Sequence, residues 1–188
     1  MITVNIMSYK YGHLAAHCIE SVINQSHKPD VIRFYDDGIG DCGHLPEIYP
    51  EVEFVLRPEN LGVVANFNDA LERTTTDRVL FLGADNWLDP TTIEKCLQRT
   101  EDMVSYDANK YHAGRIEYWH LSNFPHGSAM YNTQMAKDVG GYEASGGVHS
   151  EEDMVLFSRM KHAGGSLYII EEPLLQYRWR HRMNFNKD

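Results

Sequence analysis

A chain of 188 residues, 43% of them hydrophobic and 23% charged, is large enough to bury one sizeable core and tight for two. Its formal charge of −10 argues against a surface built to wrap a phosphate backbone, which relies on Lys and Arg, and leaves room only for a small local basic patch, so nucleic acid is not an expected partner. Three cysteines, Cys18, Cys42 and Cys96, lack CxxC spacing and read as free thiols of a reducing compartment, which argues against a disulfide framework or a zinc cage.

In chain order, "TVNIM" (3–7) predicts a first strand and "SYKYGH" a polar loop. Leu14, Ala15, Cys18, Ile19, Val22 and Ile23 recur at helical spacing and predict a helix over 13–26. "VIRFY" (31–35) is a second strand running into the loop "DDGIGD", and "VEFVLR" (52–57) a third. Phe67, Ala70 and Leu71 mark a helix over 64–73, and "RVLFLG" (78–83) is an uninterrupted apolar run that predicts a central parallel strand covered on both faces. "DPTTIEKCLQR" predicts a helix with Asp89 as N-cap and Pro90 at its first position.

From 101 to 126 the periodicity disappears, which predicts loops and an edge strand. "NTQMAKDVGGY" and "SEEDMVLFSRMKHAGG" are two further helices, the second with Met154, Phe157 and Met160 as its apolar stripe and Gly164-Gly165 as its stop. "SLYIIEEPLLQYRW" supplies one or two last strands. With no repeat, low-complexity tract or linker, the expectation is a single α/β domain with a mostly parallel central sheet flanked by helices. No basic leader and no run of about 18 apolar residues occurs, so a soluble, cytoplasmic protein is expected.

Open α/β sheets bind ligands beyond the carboxyl ends of their strands, where strand order reverses. Those ends carry Ser8 and Tyr9, Asp36 and Asp37, Arg57 and Asn60, and Asp85 and Asn86. Singly, each is what a helix cap or an Asx-turn uses. Together, carboxylates crowded at one rim repel unless a cation or ligand donor offsets them, and an oxygen-only donor set favours Mg²⁺ or Mn²⁺. A P-loop (GxxxxGK[ST]) and a GxGxxG after the first strand are both missing, which excludes a P-loop NTPase and argues against an ordinary dinucleotide fold.

Four segments in order, "VNIMSYKYGHLAAHCIESVINQSHKPDVIRFYDDGIGD", "NLGVVANFNDAL", "VLFLGADNWLDPTTI" and "GGYEASGGVHSEEDMVLFSRMKHAGG", resemble the inverting, GT-A fold, family 2 nucleotide-sugar glycosyltransferases. The resemblance implies a GT-A domain whose residues 1–100 form a Rossmann-like nucleotide-sugar-binding half and 101–188 an acceptor-binding and catalytic-base half. It implies transfer of a sugar from a nucleotide-sugar donor, UDP-linked, to a saccharide or other hydroxyl acceptor, assisted by Mn²⁺ or Mg²⁺. By the same resemblance Ser8 and Tyr9 belong to the first-strand loop, Asp36 and Asp37 read the base, and Asn60, Gly62 and Asn68 pack beside the nucleotide. Ala84 is counted with them, Asp85 matches the last aspartate of the DxD motif that contacts the metal, and His181 falls where relatives place a metal- or diphosphate-reaching histidine. Glu152 and Asp153 match the "ED" pair, with Asp153 as general base and Glu152 as the other contender.

Two positions depart from the pattern. Gly83 stands where the first DxD aspartate is expected, so either Asn86 compensates or metal binding is weakened, and Phe67 stands where an arginine is common, with Arg57 as a substitute. Competing readings are a degenerate nucleotide-sugar-binding module without turnover and a nucleotidyltransferase, the latter disfavoured by the lack of a glycine-rich basic loop near the first strand. "YRWRHR" either presents Arg178, Arg180 and His181 to the diphosphate or meets an anionic surface. "YHAGRIEYWHLSNF" is either a sugar-stacking acceptor wall or a buried aromatic cluster. Donor sugar, acceptor and oligomeric state, including a homo-oligomer, stay open.

Overall fold

The computed structural model describes residues 1–144 and 152–179. Strand β1 (Ile2–Ser8) leads into helix α1 (Gly12–Ile23), then β2 (Val31–Asp36), a short α2 (Leu45–Ile48), β3 (Glu53–Leu56), α3 (Val63–Arg73) and β4 (Arg78–Gly83). The second half runs β5 (Trp87–Leu88), α4 (Thr92–Leu97), β6 (Met103–His112), β7 (Arg115–Trp119), β8 (Met130–Asn132), α5 (Thr133–Asp138), α6 (Glu152–His162) and β9 (Leu167–Arg178).

The sheet has the order β3-β2-β1-β4-β8-β6-β9-β5, with β7 paired to β6. β1 pairs in parallel with both β2 and β4, and β2 with β3, as the alternating β-α pattern predicts. The chain steps outward from β1 to β3 and then returns to β1's other side as β4, so the strand order reverses between β1 and β4. Past β4 the sheet is mixed: β8 is antiparallel to β4 and to β6, while β9 runs parallel to β6.

β4 is covered on both faces. Leu80 and Leu82 pack with α1 residues Cys18, Ile19 and Val22, whereas Val79 and Phe81 pack with Leu71, Tyr131 and Phe157 on the opposite face. Each such fully buried side chain contributes roughly 1.5–3 kcal/mol over an exposed one. α1 and α4 therefore cover one face of the sheet and α3, α5 and α6 the other.

Three expectations are corrected. Residues 101–126 hold, besides the expected edge strand, which is β7, a ten-residue strand β6 between β8 and β9 where loops were expected. Met103–Ala108 is buried at every position, so no period-two alternation exists to be read, and Ser105 and Asp107 break up the apolar text. The helix near residue 90 starts at Thr92: Asp89 accepts from the Thr91 N–H (3.0 Å) and hydroxyl (2.7 Å), an Asx-type turn ahead of α4 in place of an N-cap. On α6 the buried residues are Leu156, Phe157 and Met160, and Met154 is exposed. At about 100° per residue, position 154 lies well over a quarter-turn from the Leu156–Met160 face. α6 does stop as expected, the Gly164 and Gly165 N–H groups donating to Lys161 and Met160 carbonyls. Among the described residues no helix is long and apolar enough to cross a membrane, and Cys18, Cys42 and Cys96 are buried free thiols.

Candidate functional site

A cleft of about 490 Å³ opens at the carboxyl ends of β1 and β4, where strand order reverses. Ser8, Tyr9, Asn60, Gly62, Asp85 and Glu152 line it, together with Asp37. Seven of the predicted residues thus meet there, from segments as distant in sequence as β1 and α6.

Each is held by local chemistry. Asp37 is buried, and its Oδ1 accepts from the Leu61 N–H (3.0 Å), tying the end of β2 to the loop before α3. Asn60 Oδ1 accepts from the Gly62 N–H (2.5 Å), shaping the same loop. Asp85 and Asn86 are buried at the floor, with Asn86 Nδ2 donating to Asp85 Oδ1 (3.0 Å). The Arg178 N–H donates to Asn86 Oδ1 (2.9 Å) and its guanidinium to the Asp85 carbonyl (2.6 Å), so the end of β9 is fastened to the end of β4.

The remaining expected residues lie beside the cleft. Asp36 turns into its own loop, accepting from the Gly40 N–H (3.0 Å), and burial raises its pKa. Arg57 donates to Asn66 (2.8 Å) and Asp69 (2.6 Å) behind the wall and lies 3.9 Å from Asp37. Asn68 bonds both the N–H and the carbonyl of Tyr142 (2.8 Å each), pinning that segment to α3. Ala84 is fully buried and donates its N–H to the Met7 carbonyl (2.9 Å). His181 and Arg180 lie outside the described residues. Phe67, where an arginine was expected, lines the cleft and stacks on Phe81 at 5.2 Å.

A second cleft of about 470 Å³ adjoins the first, with Tyr177 lining both. Its walls include Trp119, His120, Phe124 and Asp153, so the aromatic segment after β7 does line a cavity. The start of α6 separates the two spaces: Glu152 faces the first and Asp153 the second. Burial raises the Glu152 pKa, outweighing a backbone hydrogen bond that lowers it, and repulsion from Asp153 adds to the rise. Burial also raises the Tyr177 pKa, with Asp85 and Asp153 adding to it, so its hydroxyl keeps its proton near neutral pH.

Residues 3–151 match the model of glycosyl transferase family 2, most of the chain's length. The chain belongs to glycosyl transferase family 2. It is 26% identical over 112 residues to the glycosyltransferase GlyA of Streptococcus pneumoniae serotype 4, covering 57% of this chain and 16% of GlyA. The fold is the GT-A fold of solved glycosyltransferases. TarS 1–349 of S. aureus superposes with a TM-score of 0.78 at 14% identity, over 94% of this chain and 60% of that one. Its complex with UDP-GlcNAc gives 0.79 at 14% identity, over 96% and 59%. The mannosyltransferase PcManGT of Pyrobaculum calidifontis, solved with GDP-Man and Mn²⁺, gives 0.76 at 15% identity, over 96% and 57%. The chain therefore spans about 60% of these structures and a much smaller share of GlyA.

Within this family 2 chain, Gly83 has a local explanation. A Cβ there would lie 2.7 Å from Asp85 Oδ1 and 3.0 Å from Asn86 Nδ2, so the glycine lets both side chains fold back over the end of β4. Asn86 is committed to Asp85 and Arg178 in this arrangement. An oxygen ligand at the cleft floor suits a divalent cation, which commonly takes one or two protein carboxylates and completes its shell with substrate phosphates. Among the described residues the one close group of three potential ligands is Asp36, Asp41 and Cys42, away from Asp85.

Several groups escaped sequence reasoning: Tyr11, Asn66 and Tyr177 in the first cleft, and Asp107 with His120 beside the second. Asp107 is fully buried, yet accepts from the Leu121 N–H (2.8 Å), the Tyr118 hydroxyl and His120 Nδ1 (3.0 Å). Burial alone would raise its pKa, but these hydrogen bonds outweigh that and lower it, while the bond to Asp107 raises the His120 pKa. The only textual signal was a carboxylate within a strand-length segment. His126, in the same cleft wall, is buried, and burial lowers its pKa to about 4, so it is neutral at physiological pH.

Proposed function

We propose that this chain is a metal-dependent, inverting glycosyltransferase that moves a sugar from a nucleotide-sugar donor, UDP-linked, to an acceptor hydroxyl. The observation that carries the reading is the placement of neighbouring carboxylates on two sides of one wall: Glu152 in the cleft of the strand ends and Asp153 in the aromatic-lined cleft beyond. A direct displacement needs donor and acceptor on opposite sides of the anomeric carbon, with a base on the acceptor side.

In this reading residues 1–100 form the donor half and 101–188 the acceptor half. Asp37 and the loop at Asn60 and Gly62 receive the nucleoside, with Ser8 and Tyr9 beside it. Asp85 is the ligand for Mn²⁺ or Mg²⁺, joined by His181; the bound cation would offset the charge that develops on the leaving diphosphate. Tyr177, a neutral donor between the two clefts, orients the transferred group. Asp153 takes the proton of the acceptor hydroxyl as its oxygen bonds to the anomeric carbon and the bond to the diphosphate breaks. Glu152, with its raised pKa, faces the donor and holds the sugar. The relatives support the donor class, since the TarS and PcManGT structures hold UDP-GlcNAc and GDP-Man with Mn²⁺. Three free thiols suit a cytoplasmic location.

The test is release of nucleoside diphosphate from a panel of UDP- and GDP-sugars, with and without Mn²⁺, against simple saccharide acceptors. Metal-dependent release that rises with acceptor supports the proposal. Nucleotide binding without turnover under any pairing would support a binding module in its place.

A further inference from the structure

Among the described residues the β6–β7 hairpin carries an unpaired edge, and that edge has a self-complementary charge pattern. Ala113 and Gly114 form its two-residue turn, both with positive φ (48° and 76°), between the paired residues His112 and Arg115. That is a type I′ hairpin, whose closing pair exchanges both backbone hydrogen bonds. Positions 115, 117 and 119 therefore aim their backbone groups at β6, and Ile116 and Tyr118 aim theirs outward. The Tyr111 carbonyl, opposite Ile116, bonds to the Trp179 N–H on the β9 side (3.0 Å), which fits this parity.

Among the described residues β7 pairs with β6 alone. Its Arg115–Tyr118 segment is exposed at every position, with Ile116 at 61% and Tyr118 at 56%. An open edge bearing large apolar side chains invites another strand.

We infer that this edge pairs, antiparallel and across a two-fold axis, with β7 of a second copy of the chain. Backbone parity limits the pairing to registers that set outward-facing residues opposite each other. Placing Ile116 opposite Ile116 sets Arg115 of each copy against Glu117 of the other, twice by symmetry, and Tyr118 against Gly114. Those charged pairs fall at closely spaced, non-hydrogen-bonded positions, where cross-strand side chains interact most strongly. Sliding by two residues in either direction sets Glu117 against Glu117 or Arg115 against Arg115. The charges thus select one register and disfavour its neighbours. Lys110, opposite Glu117 within the hairpin, adds a cation on the same face. So short a seam buries less than the roughly 1,200 Å² of a stable interface, and the dimer is expected to be weak and reversible.

Sedimentation equilibrium across about 5–300 µM protein tests the inference, in the range where such small interfaces associate. The chain is expected to move from monomer to dimer with rising concentration. Arg115→Glu and Glu117→Arg are each expected to weaken the dimer on the order of tenfold, and the double reversal to restore it, because only the reversed pair regains complementarity. These exposed positions leave the core intact, which circular dichroism of each variant checks. A chain that stays monomeric at the top of the range, a dimer indifferent to either single reversal, or a double reversal that fails to restore it overturns the pairing.

Discussion

The two clefts that meet at Tyr177 are built in different ways. The first collects its groups from the ends of parallel strands and the loops that follow them: Ser8 at the end of β1 and Tyr9 after it, Asp37 after β2, Asn60 before α3 and Asp85 after β4. The second is lined by the chain's return from β7, which is held to a strand interior: Asp107, buried in β6, accepts from Tyr118 in β7 and from His120 and the Leu121 N–H just beyond it. Chemistry at strand ends needs only the parallel topology to converge, whereas the Asp107 cluster depends on the β6–β7 hairpin folding back and on His120 and Leu121 that follow it.

Variants separate the two regions. Asp153→Asn is expected to lower transfer roughly 10²–10⁴-fold, the range for loss of a positioned base, with nucleotide binding retained. If binding is lost in step with turnover, the division of labour at the start of α6 is wrong. Asp85→Ala is expected to cost about 10²–10³-fold in nucleoside diphosphate release through lost charge stabilisation, with the deficit concentrated in the metal-stimulated component. On the core beneath both clefts, Phe157→Ala is expected to destabilise by about 3–5 kcal/mol in urea unfolding. Met154→Gln, on the exposed side of the same helix, should stay within about 0.5 kcal/mol.

Asp107→Asn is expected to cost about 1–3 kcal/mol by leaving hydrogen-bond partners mismatched in a buried position. Its pH signature has two sides. The Asp107 pKa is lowered, so its contribution is present above the ordinary carboxylate range near 4 and is lost as pH falls through the folded value. The His120 pKa is raised, so its contribution is full below about 6.5 and is lost as pH rises through the folded value. Melting curves from pH 3 to 9 should therefore show the wild-type advantage over Asp107→Asn greatest between these limits, and His120→Ala should remove the alkaline slope. A flat difference across that range would reduce the cluster to a simple staple.

The same contrast explains what could be read without coordinates. The β-α alternation of residues 2–83 and the rim of polar strand ends follow from apolar runs interrupted by Asp, Asn and Gly, and the structure brings Ser8, Tyr9, Asp37, Asn60, Gly62, Asp85 and Glu152 to one cleft. Arg57 and Asn68 were legible only as polar groups near that rim; their side chains reach Asp69 and Tyr142, partners that spacing along the chain does not reveal. β6 was missed because burial on both faces erases alternation, and β8, three residues long, offers too little pattern to read. Gly83 looked like a defect in the motif until the close approach of Asp85 and Asn86 showed what its missing side chain makes room for.

The central claim is that the strand-end cleft holds a metal-bridged nucleoside diphosphate at Asp85, while Asp153 serves the acceptor side. Calorimetric titration of UDP into wild type, Asp85→Ala and Asp153→Asn, each with and without Mn²⁺, tests it most directly. The expected result is Mn²⁺-enhanced UDP binding in wild type and in Asp153→Asn, with the enhancement lost in Asp85→Ala. Undiminished Mn²⁺-enhanced binding in Asp85→Ala, or no UDP binding by the wild-type chain, would contradict it.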